Sequence, residues 1–302
     1  MTLPVAPIIN QGNKMTFQNP NAAPLPFKPN SGAHSVKEAS AAIFVSSEIT
    51  PIREFISLSQ DVKEINELYP QYQLIIKTES TFDSVSEEES SKQKQDESST
   101  PLTTDLEAGF ALAFVNENSV ATKIFQGVNE GEGRVFFSYH DMEYVRWINF
   151  KERLSKTLCL FQEQLSKYTP EAIGLTYIDE YLWEKESKID YNKIFSKETD
   201  QLPKSFFQEG NTDSEITTTS NFKKNGYSFF VRLHINPTYS EDSNVLRITH
   251  NAVYIDDNIS LENLESQDKN SVLDILQASH ELNKDILKSI LNKETIDLIK
   301  LT

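Results

Sequence analysis

Five histidines, His34, His140, His234, His250 and His280, are the side chains of this 302-residue sequence best suited to proton transfer or metal ligation near neutral pH, and they are scattered along it. None stands in an H-E-x-x-H, H-x-H or Cys/His spacing, so no metal ligand is assigned and no cofactor is implied. The one cysteine, Cys159, cannot close an internal disulfide or build a thiolate cage. It sits beside a helical apolar stripe with no base nearby in sequence, which predicts a buried structural thiol. His140 and Asp141 are neighbours at a strand end, where consecutive side chains face opposite ways, so they make a poor dyad. A metal-assisted hydrolytic centre would have to be assembled by the fold, from His34, Glu38, His140 and His280. Phosphate cradles and nucleophile elbows have no support, since no G-x-x-x-x-G-K-[ST], G-x-G-x-x-G or G-x-S-x-G occurs and the chain has only nine glycines.

Two further groups are singled out by their surroundings. His280 and Asn283 share a helical row with Leu273, Leu276, Leu287 and Leu291, which puts both polar side chains on or beside a buried face, where they need hydrogen-bond partners. Arg146-Trp147 lies between a strand region and a helix. There the arginine can bridge a carboxylate such as Asp179 or Glu38, and the tryptophan can plug the core.

Composition limits what such residues can do. Lys and Arg number 29 against 45 Asp and Glu, a formal charge of -16, which argues against broad capture of nucleic-acid phosphates and favours a partner with a basic surface. The 18 Phe and 11 Tyr are not interleaved with basic residues and read as core and interface. No apolar run is long enough to span a bilayer, and Pro4 and Pro7 interrupt the short apolar start, so neither a membrane span nor an export signal is expected. With a lone thiol, the expected compartment is a reducing cytoplasm.

The elements that must position these groups can be placed along the chain. Residues 1–33 are a Pro-rich arm, with Leu25 and Phe27 able to dock on a surface. Ala41–Val45 reads as a strand, 51–68 as a helix beginning at Pro51, and Gln73–Lys77 as a strand. Residues 79–104 are nearly all polar and are expected to form a disordered acidic loop. Residues 109–116, 121–128 and 134–139 alternate like an antiparallel meander. A helix is expected from an Asn149 cap, with Glu152 three residues on, to the stop at Pro170. Strands follow at 172–183, 228–235 and 245–255, with a break over 201–225 and a last helix over 271–291. The predicted class is α+β: mostly antiparallel sheets in two strand-rich halves, 34–169 and 170–302, each closed by a long helix.

Several segments in order are similar to a sporadically distributed bacterial family of unknown function. They are Phe27-Lys28-Pro29 followed by His34, Glu38 before the Ala-Ile-Phe-Val strand, Tyr69-Pro70, Arg146-Trp147, Leu175-Thr176-Tyr177-Ile178-Asp179, and His280 in the last helix. The likeness spans about Phe27 to Leu298. Thr176 and Asp179 stand where that family's strand has Arg and Asn, and the acidic loop resembles an insertion. What the resemblance implies is occurrence in mobile, antiviral-defence or toxin-antitoxin loci, with no catalytic residue. The expected function is therefore a non-enzymatic protein-binding or accessory subunit; the alternative is the assembled hydrolase. The candidate binding or anchoring residues are His34, Glu38, Arg146, Trp147, Tyr177, Asp179, His280 and Asn283, with homo-oligomerisation left open.

Overall fold

A computed structural model describes residues 25–30, 34–81, 102–131, 134–184, 188–208, 210, 213–240, 243–256, 259, 261 and 271–301. Its strands are β1 (Phe27–Pro29), β2 (Val36–Val45), β3 (Gln71–Thr81), β4 (Leu102–Val115), β5 (Ala121–Gly131), β6 (Arg134–Asp141), β7 (Pro170–Trp183), β8 (Ile216–Lys224), β9 (Tyr227–Tyr239) and β10 (Asn244–Ile255). Its helices are α1 (Ile52–Asp61), α2 (Lys63–Leu68), α3 (Trp147–Leu160), α4 (Gln162–Leu165), α5 (Val272–Ile290) and α6 (Lys293–Leu298).

All ten strands belong to one antiparallel sheet in the order β3-β4-β5-β6-β2-β7-β10-β9-β8, with β1 paired to the last residues of β7. Alternation sets its faces. In β2, Ala39, Ala41, Ile43 and Val45 are buried while the residues between them are half-exposed, and in β9 Tyr227, Phe229, Val231, Leu233 and Ile235 are buried between exposed Ser228, Phe230 and Arg232. Phe55 of α1, Phe150 and Leu154 of α3 and Ile275 and Leu276 of α5 join the first of these rows in a single apolar cluster. Among the described residues no helix is long and apolar enough to cross a membrane.

This corrects the expected pair of sheet halves, each with its own closing helix. β2 lies between β6 and β7, with Ala41 facing Tyr139 on one side and Leu175 on the other, so the ladder runs straight through residues 169 and 170. Both backbone edges of a buried strand need partners, and that need joins the chain's two stretches of strands into one sheet. Nor does α5 close the C-terminal stretch alone. Its Leu276 and Leu282 sit in the cluster with β2 and α3, whereas its Leu287, Ile290 and Leu291 beyond it pack in a second cluster with Tyr181, Trp183, Leu246 and Ile248.

Local boundaries also differ from expectation. The helix over 51–68 breaks at Val62, whose backbone is extended and whose N–H donates to the Leu58 carbonyl. α3 is capped by Arg146, not Asn149; the Arg146 carbonyl accepts from the N–H groups of Asn149 and Phe150. The expected break over 201–225 contains β8, where β-branched Thr217, Thr218 and Thr219 pair with β9 at the sheet edge. At the ends of the expected acidic loop, Glu79–Thr81 pair with Leu102–Thr104 in the β3–β4 ladder; residues 82–101 lie outside the described residues, as do 1–24 and 31–33 of the arm. Phe27 of the arm is buried and stacks on Trp183 with ring centroids 4.5 Å apart.

Candidate functional site

Six of the eight residues singled out in the sequence line one pocket of about 370 Å³: His34, Arg146, Trp147, Tyr177, Asp179 and His280. It opens where β7 and β10 meet the N-terminus of α3 and the middle of α5. β7 supplies Tyr177 and Asp179, two residues apart and therefore on the same, helix-covered face. His250 of β10 lies directly opposite Tyr177 in the ladder and presents its ring to the same side, stacked on the phenol ring at 5.4 Å.

The floor of the pocket is a set of hydrogen bonds centred on Asp179. Asp179 is fully buried; its Oδ1 accepts from the Ser35 hydroxyl at 2.5 Å, and its Oδ2 lies 2.7 Å from Nε2 of His250. Ser35 and His250 are themselves buried, so each finds in Asp179 the partner that burial demands. Nδ1 of His250 is buried with no hydrogen-bond partner among the described residues. The Tyr177 hydroxyl lies 2.8 Å from Nδ1 of His280. Trp147 covers His280 in a near-parallel stack, 4.5 Å between centroids and 8° between planes, and its indole N–H donates to Gln277 at 2.6 Å. Tyr144 meets Tyr177 edge-on, and His34 meets Tyr144 edge-on.

Burial sets the charge state of these groups. Desolvation lowers His280 to about 4, aided by the nearby Lys284 cation, so the imidazole is neutral at pH 7. His34 is lowered too, again by desolvation, with Asp179 opposing. Tyr177 is pushed well above the ordinary phenol value and Tyr144 up to about 12, both chiefly by burial, so each stays a protonated phenol. The cations of the lining are at its mouth: Arg146 and Lys300 are exposed and Lys284 is half-exposed. None of the three makes an ion pair or side-chain hydrogen bond among the described residues. Val145, 55% exposed, also lines the pocket just before α3.

Two of the singled-out residues lie elsewhere. Glu38 is on the opposite face of the sheet, where it accepts from or pairs with Nδ1 of His140 at 2.8 Å, and His140 in turn meets Ser138 and Gln126. Asn283 is fully buried on α5 and donates to the Leu175 carbonyl at 3.0 Å. The hydrolytic set of His34, Glu38, His140 and His280 is thus divided between the two faces. Asp141, next to His140, is buried on the helix side with Arg153 at 3.3 Å, as strand alternation requires. The bridge from Arg146 to Asp179 or Glu38 is not made among the described residues, and Trp147 is half-buried, packed against the core cluster on one side while lining the pocket on the other. Cys159 is half-exposed instead of buried. Among the described residues no group of three or more His, Cys, Asp or Glu is placed to hold a metal ion.

Sequence reasoning missed His250, Ser35, Tyr144, Lys284 and Lys300. A signal existed for His250, which occupies a core position in the alternation Leu246, Ile248, His250, Ala252, Tyr254. Ser35 carries no comparable mark, because only the fold brings it to Asp179, 144 residues away.

No family model matches the chain, and no curated protein and no solved structure matches it. The reading of function therefore rests on the pocket.

Proposed function

We propose that this chain is a non-enzymatic binding subunit whose binding centre is the pocket between β7, β10, α3 and α5. The observation that carries this reading is the state of its acid–base groups. Asp179 is used by Ser35 and His250, and His280 is used by Tyr177 and covered by Trp147. Groups bonded to one another and held by stacking make a rigid recognition surface, with Nδ1 of His250 left to meet a bound molecule. The lining supplies what binding needs: exposed Val145 and three cations with no ion pair among the described residues, beside a concave set of aromatic rings.

A partner protein with a basic surface remains part of the proposal, drawn by the net charge of -16. The link to antiviral-defence or toxin-antitoxin loci has the family resemblance as its only support. The test is to incubate the purified chain with a metabolite extract and follow both retention and conversion by mass spectrometry. A binding subunit retains a compound unchanged and loses it on Val145→Glu, a substitution in the exposed part of the lining. Conversion of a compound at a rate abolished by His280→Gln, with folding intact, overturns the reading. For a basic protein partner, the association rate should fall steeply as salt rises, since a Debye length of about 8 Å at physiological ionic strength screens such steering; a salt-independent rate would remove charge from the account.

A further inference from the structure

We propose that the pocket takes a small planar aromatic anion, its ring held among Tyr144, Trp147 and Tyr177 and its anionic group by Arg146, Lys284 and Lys300. This rests on the binding-subunit reading and names the chemistry of what is bound. Three features select this class. A volume of about 370 Å³ lies at the lower end of small-molecule sites, enough for one or two fused rings with a substituent. The walls are aromatic and already fixed, Trp147 by its hydrogen bond to Gln277 and its stacks on His280 and Phe150, and Tyr177 by its stack on His250 and its edge contact with Tyr144, so an incoming ring meets what these rings leave uncovered without ordering them. The third feature is charge. In a chain with a large acidic excess, the lining gathers three cations with no ion pair among the described residues, and its one carboxylate, Asp179, is buried and already engaged. An anion at the mouth would gain charge-assisted hydrogen bonds from groups that otherwise have none.

His250 supplies a further specificity element. It lines the pocket, is 3% exposed, and keeps Nδ1 without a partner among the described residues. A ligand with a polar atom beside its ring can satisfy that nitrogen, and one that is wholly apolar there leaves it unpaired.

The experiment is calorimetric titration of the full chain with three probes: 2-naphthoate, its neutral carboxamide, and acetate. The expected result is one-to-one binding of 2-naphthoate, at least tenfold weaker binding of the carboxamide, and none of acetate. The double variant Arg146→Gln, Lys284→Gln removes two charges from one exposed and one half-exposed position; it should weaken 2-naphthoate at least tenfold and change carboxamide binding less than twofold. If the carboxamide binds as tightly as the naphthoate, or the double variant binds both as the parent does, the anion assignment is overturned while the pocket remains a binding site. If neither ring compound binds at millimolar concentration, the aromatic assignment falls. The binding-subunit reading fails separately, on the conversion of a compound from the extract.

Discussion

Asp179 is the residue on which the pocket floor depends. Removing its carboxylate leaves the Ser35 hydroxyl and Nε2 of His250 buried without an acceptor. Asp179→Ala should therefore cost about 2–4 kcal/mol in urea unfolding, the sum of two orphaned polar groups, while Ser35→Ala should cost about 1 kcal/mol. Equal costs would show that Asp179 is not the shared acceptor. His280 makes a prediction of its own with pH. Its value drops from the ordinary 6.5 to about 4 on folding, so the unfolded chain binds a proton that the folded chain refuses between those limits. The stability of the neutral form is complete above pH 6.5 and is lost as pH falls toward 4. Melting temperatures measured over that window should decline less steeply for His280→Phe than for the parent. Identical slopes would mean that the imidazole is solvated and that Trp147 does not cover it. Trp147→Ala belongs to the same wall. A fully buried indole would cost about 3–5 kcal/mol, but a half-exposed one has less area to lose, and about 1–2 kcal/mol is expected.

Within the elements, the tightest constraint is where β4 crosses β5. A Cβ on Gly109 would stand 2.2 Å from the backbone carbonyl oxygen of Gly127, which cannot move without breaking the ladder. Gly109→Ala should lower stability by more than about 2 kcal/mol, whereas Gly226→Ala, where open space surrounds the added carbon, should cost only the strain of its φ of +89°. A smaller deficit at Gly109 than at Gly226 would mean that the two strands do not approach so closely. The β3–β4 ladder reaches Thr81↔Leu102, so the chain ends there are already within pairing distance. Replacing residues 82–101 by a short Gly-rich turn should then preserve the far-ultraviolet circular dichroism spectrum. A loss of strand signal would assign that segment a structural role. At this scale the sequence was largely legible, since β9 and β10 alternate strictly and α5 carries a continuous apolar row. It misled at β8 because Thr217–Ser220 is half polar, and only pairing to β9 makes a strand of it.

For the whole molecule, the order of strands is what the sequence could not disclose. Each strand's alternation tells which residues share a face but not which strand lies beside it, and β2 pairs with both β6 and β7, each far from it along the chain. The pocket was half legible for the same reason. The apolar row of α5 marked His280 and Asn283 as groups needing partners, and Asp179 entered only as a possible acceptor for Arg146, while the partners themselves are set by topology. That topology has an energetic consequence. α5 packs in both apolar clusters, and the β2–β7 ladder links strands from either side of residue 169. Loosening one side should loosen the other. Calorimetry should give a single unfolding transition whose calorimetric and van't Hoff enthalpies agree. Leu276→Ala, placed among Ala41, Phe137, Tyr139 and Leu154, should move that whole transition down, by about 2–5 kcal/mol in stability and about 2–4 °C for each of those kcal/mol. Expressed alone, residues 34–169 would expose the β2 edge that β7 covers and lose the α5 side of their core, so they should lack the dispersed methyl resonances of a packed interior. Two resolved transitions, with Leu276→Ala shifting only one, or a well-dispersed spectrum from the isolated segment, would show that the sheet is continuous in hydrogen bonds but not in folding.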